Sequence, residues 1–181
     1  MKLEGRRLRQ RDSTTCGPSV AVVAGALVDP AYRSAVAGSP RCWLDNEQSR
    51  IHREVNRVWP RRLGTTPMGI ARALTTRTEV RGVSYRWRLF RGERDRLTDV
   101  VHFVNEGWPV AMLVGRFIPR HWILIVGVTG ETLRCYEPSS GDVRPANIDA
   151  LRHSRLTGLG YPRPFAFVLP SSKAATRSAT S

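Results

Sequence analysis

The stretch Gln10-Arg11-Asp12-Ser13-Thr14-Thr15-Cys16-Gly17-Pro18-Ser19, running into the apolar segment Val20 to Val28, reads as a polar loop that delivers one cysteine to the first turn of a buried helix. Ser13, Thr14 and Thr15 are residue types that favour a helix cap. Pro18 fits the first turn, where its missing N–H leaves no bond unmade. Ala21, Val22, Val23, Ala24, Ala26, Leu27 and Val28 leave almost no polar face. A helix that is apolar all round is packed on all sides. A thiol at its N-terminus meets the positive end of the helix dipole, which favours the thiolate. Proline stops the helix near Asp29-Pro30.

Beyond it, Ala31 to Arg41 carries Gly38, Ser39 and Pro40 and is expected to be loop, with at most one short helical turn. Trp43 to Trp59 has helical spacing, with Leu44, Ile51, Val55, Val58 and Trp59 on one side and Asn46, Glu47, Arg50, Arg53, Glu54 and Arg57 on the other. Asp45 or a neighbour is expected to cap this helix and Pro60 to close it. Pro67 opens a second short helix to about Thr75, with Met68, Ile70, Ala71 and Leu74 turned inward. Val80 to Phe90 alternates as a half-exposed strand, placing Val83, Tyr85, Trp87 and Leu89 on the inner face. Glu93 to Glu106 is expected as a helix, with Gly107 just after its end.

The second half changes character. Pro109 to Val114, His121 to Val128 and Thr132 to Tyr136 are short, apolar and β-branched. The turn-like Val128-Thr129-Gly130-Glu131 joins the latter two as a hairpin. Pro145 to Arg152 suggests one helix and Phe165 to Leu169 a last strand. Helices first and an antiparallel sheet afterwards define an α+β fold. The expected organisation is one domain over 1–169, followed from Pro170 by a disordered tail rich in Ser, Thr and Ala.

Composition excludes some functions and leaves others open. The chain has 181 residues and a net charge of +14, and all but Lys2 and Lys173 of its 29 basic residues are arginines. The arginines are scattered and do not form one helical stripe with interleaved aromatics, which argues against nucleic acid as a partner. No apolar run approaches the ~20 residues of a membrane span, so no membrane partner is expected. Cys16, Cys42 and Cys135 make an odd set without framework spacing. A reducing compartment, the cytoplasm, is the simpler home, with export as a secreted effector the alternative. Arg6-Arg7-Leu8-Arg9 before Val20 to Val28 imitates a signal peptide, but the polar Gln10 to Thr15 segment interrupts the pattern.

A cysteine nucleophile needs a base, a group that orients the base, and donors for the oxyanion on the attacked carbonyl. Cys16 is the candidate nucleophile. His121 opens the strand His121-Trp122-Ile123-Leu124-Ile125-Val126 after a Pro119-Arg120 corner and is the candidate base. Glu137 follows the next strand, one hairpin away, and could hold the far ring nitrogen of His121; Asp142 and Asn147 are the alternatives. Gln10 lies six residues before Cys16, a loop long enough to fold back and set its amide beside the Cys16 N–H. His52 and His102 fall in expected helices and His153 among arginines, all weaker placements.

Together these residues carry a resemblance. Gln-x5-Cys-Gly-Pro-Ser-Val-Ala from Gln10, then Gly107-Trp108-Pro109-Val110, then His121-Trp122-Ile123-Leu124-Ile125-Val126-Gly127, then Tyr136-Glu137-Pro138-x-x-Gly141 resembles the papain-like cysteine peptidases. Within them it is most similar to the bacteriocin-processing, double-glycine-leader peptidases and their stand-alone relatives. The resemblance implies a papain-like α+β fold and cysteine-dependent hydrolysis of peptide bonds. The family's glutamine, cysteine and histidine fall on Gln10, Cys16 and His121. Where the family usually has aspartate, this chain has Glu137, and the extra methylene must be absorbed by the loop or weaken the orientation of the histidine. Leader peptidases of this type are usually the N-terminal part of an exporter, so leader processing itself is not implied.

The expected reaction is thiol hydrolysis of a peptide or protein substrate, without metal or cofactor. The arginines around Gln10 hint at an acidic substrate. Papain-like folds also host transferases, deamidases and toxins that use the same triad, and a fold does not choose the acceptor. A catalytically inactive basic binding domain is the remaining alternative. The sequence does not fix an oligomeric state.

Overall fold

In the computed structural model, residues 2–3, 6–12, 14–55 and 65–171 are described. A short antiparallel pair, β1 (Lys2–Leu3) and β2 (Arg6–Arg7), precedes the nucleophile helix α1 (Cys16–Val28). Three helices follow: α2 (Pro30–Gly38), α3 (Arg41–Val55) and α4 (Pro67–Thr78). The main sheet has six antiparallel strands: β3 (Tyr85–Leu89), β4 (Val110–Gly115), β5 (Pro119–Thr129), β6 (Thr132–Glu137), β7 (Asp142–Asn147) and β8 (Arg163–Pro170), in the order β3-β8-β4-β5-β6-β7. Two further helices, α5 (Thr98–Asn105) and α6 (Ile148–Arg152), complete the chain. The architecture is α+β, helices packed on an antiparallel sheet.

Both faces of the sheet are covered, and strand alternation shows it. Ala111, Leu113, Trp122, Leu124, Tyr136, Ala166 and Val168 share one core with α1, α3 and α4. Val110, Met112, Val114, Ile123, Ile125, Cys135, Phe167 and Leu169 share the other with α5 and α6. A strand buried on both sides is apolar throughout, and β4 is buried at every residue. All of α1 except Leu27 is buried, as an all-apolar helix requires. Gly25 lets α2 approach: a Cβ there would lie 3.1 Å from the Tyr32 ring.

Several elements differ from the sequence reading. Residues 30–38 form a helix rather than a loop, because Pro30 opens it and the Asp29 carboxylate caps Ala31 N–H at 2.9 Å. Helix α3 begins at Arg41, before Asp45 could cap it; Val58, Trp59 and Pro60 lie outside the described residues. Met68 is 65% exposed rather than core. The strand at 80–90 shortens to β3, with the Glu79–Arg81 turn and Gly82 (φ 64°) ahead of it. Tyr85 is buried and tied to α4 through Thr75 Oγ1 (2.8 Å), while Trp87 and Leu89 on this edge strand are exposed.

Helix α5 starts at Thr98, not Glu93. Asp95 accepts from the N–H groups of Arg91 and Leu97 and from Arg88, holding the chain in a loop first. Residues 142–147 are a strand, which takes Pro145, Ala146 and Asn147 out of the helix expected over Pro145 to Arg152. Pro145 sits on this outer strand, where a missing N–H is tolerated, and Asn147 caps α6 instead. Strand β8 runs through Pro170, and Ser171 N–H still bonds to Ser84 O at 2.8 Å, so order extends past 169. The rest of the expected tail, 172–181, lies outside the described residues.

Candidate active site

The loop before Cys16 closes on itself. Thr15 Oγ1 accepts from the backbone N–H groups of Arg11 (3.1 Å) and Asp12 (3.0 Å), and Asp12 Oδ1 accepts from the N–H (2.9 Å) and hydroxyl (2.7 Å) of Thr14. Thr15 occupies the cap position but turns its hydroxyl backwards and makes no side-chain cap bond, so among the described residues no side chain caps α1. The first N–H groups of a helix have no acceptor within it. This end therefore keeps its donors and its positive partial charge beside Cys16. Gly17 is dictated by α4: a Cβ there would come within 2.8 Å of both Ile70 Cδ1 and Thr65 Oγ1. Thr65 O in turn accepts from Trp122 Nε1 at 2.8 Å, which ties this corner to the residue after His121.

His121 lies near the start of β5 and Glu137 at the end of β6. Leu124 stands opposite Tyr136 in the hairpin register, which brings the two ends together. His121 Nε2 is 2.8 Å from Glu137 Oε1. Cys16 lies close enough to the ring to favour its charged form; with Nε2 committed to the carboxylate, Nδ1 is the nitrogen left to face sulfur. Cys16, His121 and Glu137 are all buried. The Tyr161 ring stacks on the imidazole, centroids 5.0 Å apart and planes 20° from parallel.

The Glu137 carboxylate is also held by its own loop. Oε1 also accepts from Ser139 N–H and Oε2 from Ser140 N–H, both at 2.8 Å. The carboxylate curls over the turn that follows it, and both oxygens are fixed. Burial opposes ionisation of Glu137, but the His121 contact and these backbone donors outweigh it and hold the carboxyl well below the usual range. Burial likewise opposes a charged His121. The hydrogen bonds and negative charges of Cys16 and Glu137 prevail and raise its pKa from 6.5 to about 9. The Tyr161 hydroxyl is raised by burial and by the charges of Cys16 and Glu137, against Arg120.

Gln10 is joined to both halves through its backbone. Its N–H donates to Pro138 O at 2.9 Å, inside the acid's loop, and the N–H of the next residue goes to Thr15. Its neighbours are stitched to the same loop: Tyr136 Oη donates to Leu8 O and Arg9 Nε to Ser139 O, both at 2.9 Å. Gly141 permits this approach. It has φ +73°, and a Cβ would lie 2.6 Å from Leu8 O. Gln10 Oε1 is the one buried side-chain polar atom without a hydrogen-bond partner among the described residues. The large majority of buried side-chain polar atoms have a partner.

Of the remaining candidates, Asp142 opens β7 opposite Glu137 in the β6–β7 register, and Asn147 caps α6; His52, His102 and His153 are on or beside α3, α5 and α6. Arg9 and Arg11, read as hints of an acidic substrate, are engaged by Ser139 O and by Asp12 and Ser49. The sequence reading missed Tyr161, for which Gly160-Tyr161-Pro162 gives no signal, and the backward turn of Thr15. All three cysteines are free.

No protein-family model matches this sequence, and no curated protein matches it. Solved structures similar to it include three peptidase domains. The peptidase domain of Streptococcus ComA, a bi-functional ABC transporter involved in a quorum sensing pathway, has 17% identity and a TM-score of 0.49, over 91% of this chain and 96% of that one. A double glycine motif protease from an AMS/PCAT transporter, in complex with the leader peptide, has 17% identity and a TM-score of 0.49, over 91% and 89%. The peptidase domain of Streptococcus mutans ComA has 14% identity and a TM-score of 0.44, over 92% and 99%.

Proposed function

We propose that this protein is a cysteine-dependent hydrolase of peptide bonds. The observation that carries the reading is the buried His121–Glu137 hydrogen bond of 2.8 Å with Cys16 beside the imidazole, the cysteine at the N-terminus of α1. A buried thiol, an imidazole and a carboxylate are the parts a nucleophile, a base and an orienter require. Peptide is the substrate class implied by the motif resemblance around Gln10, Cys16 and His121.

In this reading His121 takes the Cys16 proton at Nδ1, and Glu137 stabilises the imidazolium through Nε2. The thiolate attacks the substrate carbonyl carbon. The oxyanion is held by the Cys16 N–H and the Gln10 side-chain amide. His121 then returns its proton to the leaving amine, giving an acyl-thioester. Water, deprotonated by His121, attacks the thioester and releases the acid, and the thiol is restored.

The test is cleavage of a quenched fluorogenic peptide library by the wild type and by Cys16→Ala, with products read by mass spectrometry. Cleavage fragments lost in Cys16→Ala support the reading. A ~1 Da gain on glutamine peptides, or a crosslink to an amine, in place of fragments assigns the triad to deamidation or acyl transfer.

A further inference from the structure

We propose that Gln48, on α3, is a positioning residue for Gln10. Its side chain is almost fully buried. Its Oε1 accepts from Arg11 N–H and its Nε2 donates to Arg9 O, both at 3.0 Å. One amide thus grips the backbone immediately before and immediately after Gln10, making the pair of bonds that a neighbouring strand would make. Only a primary amide presents a donor and an acceptor at that spacing; a carboxylate offers acceptors alone.

The segment is held from two directions. On one side lies the acid's loop, through Gln10 N–H to Pro138 O and Arg9 Nε to Ser139 O. On the other lies Gln48. The Arg11 N–H is shared between Gln48 Oε1 and Thr15 Oγ1, so the same contact reaches the residue before the nucleophile. Helix α3 is itself braced at the adjacent position. The buried Glu47 carboxylate accepts from Tyr32 Oη (3.0 Å), Arg50 Nε (2.8 Å) and Arg77 (2.7 Å), linking α2, α3 and α4. Gln48 therefore transmits a rigid helix's position to the oxyanion loop.

This inference rests on Gln10 serving as an oxyanion donor. Two reagents separate that role from general structure. Acylation of Cys16 by p-nitrophenyl acetate transfers the acetyl group to sulfur, releases p-nitrophenolate and passes through an oxyanion. Alkylation by iodoacetamide forms the carbon–sulfur bond and releases iodide, with no oxyanion. Both rates are measured on wild type, Gln10→Ala, Gln48→Ala, Gln48→Glu and the double variant Gln10→Ala with Gln48→Ala. Gln48→Glu keeps the side chain's size and the acceptor for Arg11, and guards against misfolding of the alanine variant.

Removing one oxyanion donor costs about 100- to 1000-fold, and a misplacement of about 1 Å about 100-fold. Both Gln48 variants are expected to acylate roughly 10- to 100-fold more slowly than wild type, within those limits. Alkylation stays within about twofold of wild type, and the double variant acylates no more slowly than Gln10→Ala, as for residues acting through one contact. Wild-type acylation in the Gln48 variants alongside slow Gln10→Ala overturns the positioning role alone. So does a multiplied loss in the double variant, or alkylation that falls as far as acylation. Wild-type acylation in Gln10→Ala overturns the oxyanion role of Gln10 and the positioning role with it.

Discussion

Glu137 holds His121 through one carboxylate oxygen at 2.8 Å while its own loop holds the carboxylate through the N–H groups of Ser139 and Ser140. The side chain is therefore fitted to its length. Glu137→Asp withdraws the carboxylate by about one bond length, and ~1 Å is worth ~100-fold in rate. Glu137→Asp and Glu137→Gln are both expected to lower kcat by about 100-fold, with KM little changed. Steady-state kinetics on a cleaved peptide check this, and an aspartate variant at full activity contradicts it.

The same pair sets a pH window for stability. His121 is raised from 6.5 to about 9, so its contribution is complete below 6.5, declines as pH rises and is gone above about 9. Glu137 is lowered from 4.5, so its contribution is complete above 4.5 and is lost only as pH falls through its depressed value. Both are complete between 4.5 and 6.5. The Tm advantage of wild type over His121→Gln is expected to be flat across that range and to shrink towards pH 9. A constant advantage through pH 9 would show that no imidazolium is held.

Gly141 takes part in the site without bearing chemistry. Its φ of +73° and the 2.6 Å approach to Leu8 O leave no room for a Cβ. Gly141→Ala is expected to destabilise the fold by about 1–3 kcal/mol and to push Leu8–Gln10 from the acid's loop. Denaturant unfolding and acylation of Cys16 measured together check this, and both should fall.

Glu47 carries the junction of α2, α3 and α4. Its burial opposes ionisation, but Arg50, Arg77 and Tyr32 hold the carboxyl below its ordinary range. Glu47→Ala strands Arg77, which is largely buried. The expected loss is about 3 kcal/mol of unfolding free energy, read from urea unfolding.

The parts of the fold legible in the sequence are those where local pattern and tertiary packing agree. Cys16–Val28 is apolar at nearly every position, and β4, β5 and β6 are short β-branched runs. The unreadable parts are those where a tertiary contact overrides the pattern. Arg88 sat on the expected outer face of its strand, yet it is drawn to Asp95 and Asp99 at 2.6 Å and over the Phe167 ring. Residues 142–147 are polar with a proline and pair only because β6 offers an edge. In the candidate site, Cys16, His121 and Glu137 were picked out by residue type and spacing, and the fold sets His121 2.8 Å from Glu137. Tyr161 and Gln48 were not, because each acts through a contact that only the folded chain creates.

The central claim is that Cys16 is activated by His121, and alkylation tests it most directly. Exposure alone ranks the thiols differently: Cys42 is exposed, Cys16 is 2% exposed, and burial pushes the Cys135 thiol up to about 12. With limiting iodoacetamide at neutral pH and the modified residues identified by mass spectrometry, Cys16 is expected to react before Cys42, and to lose that lead in His121→Ala. Cys42 reacting first, with Cys16 unmodified and indifferent to His121→Ala, would contradict the account.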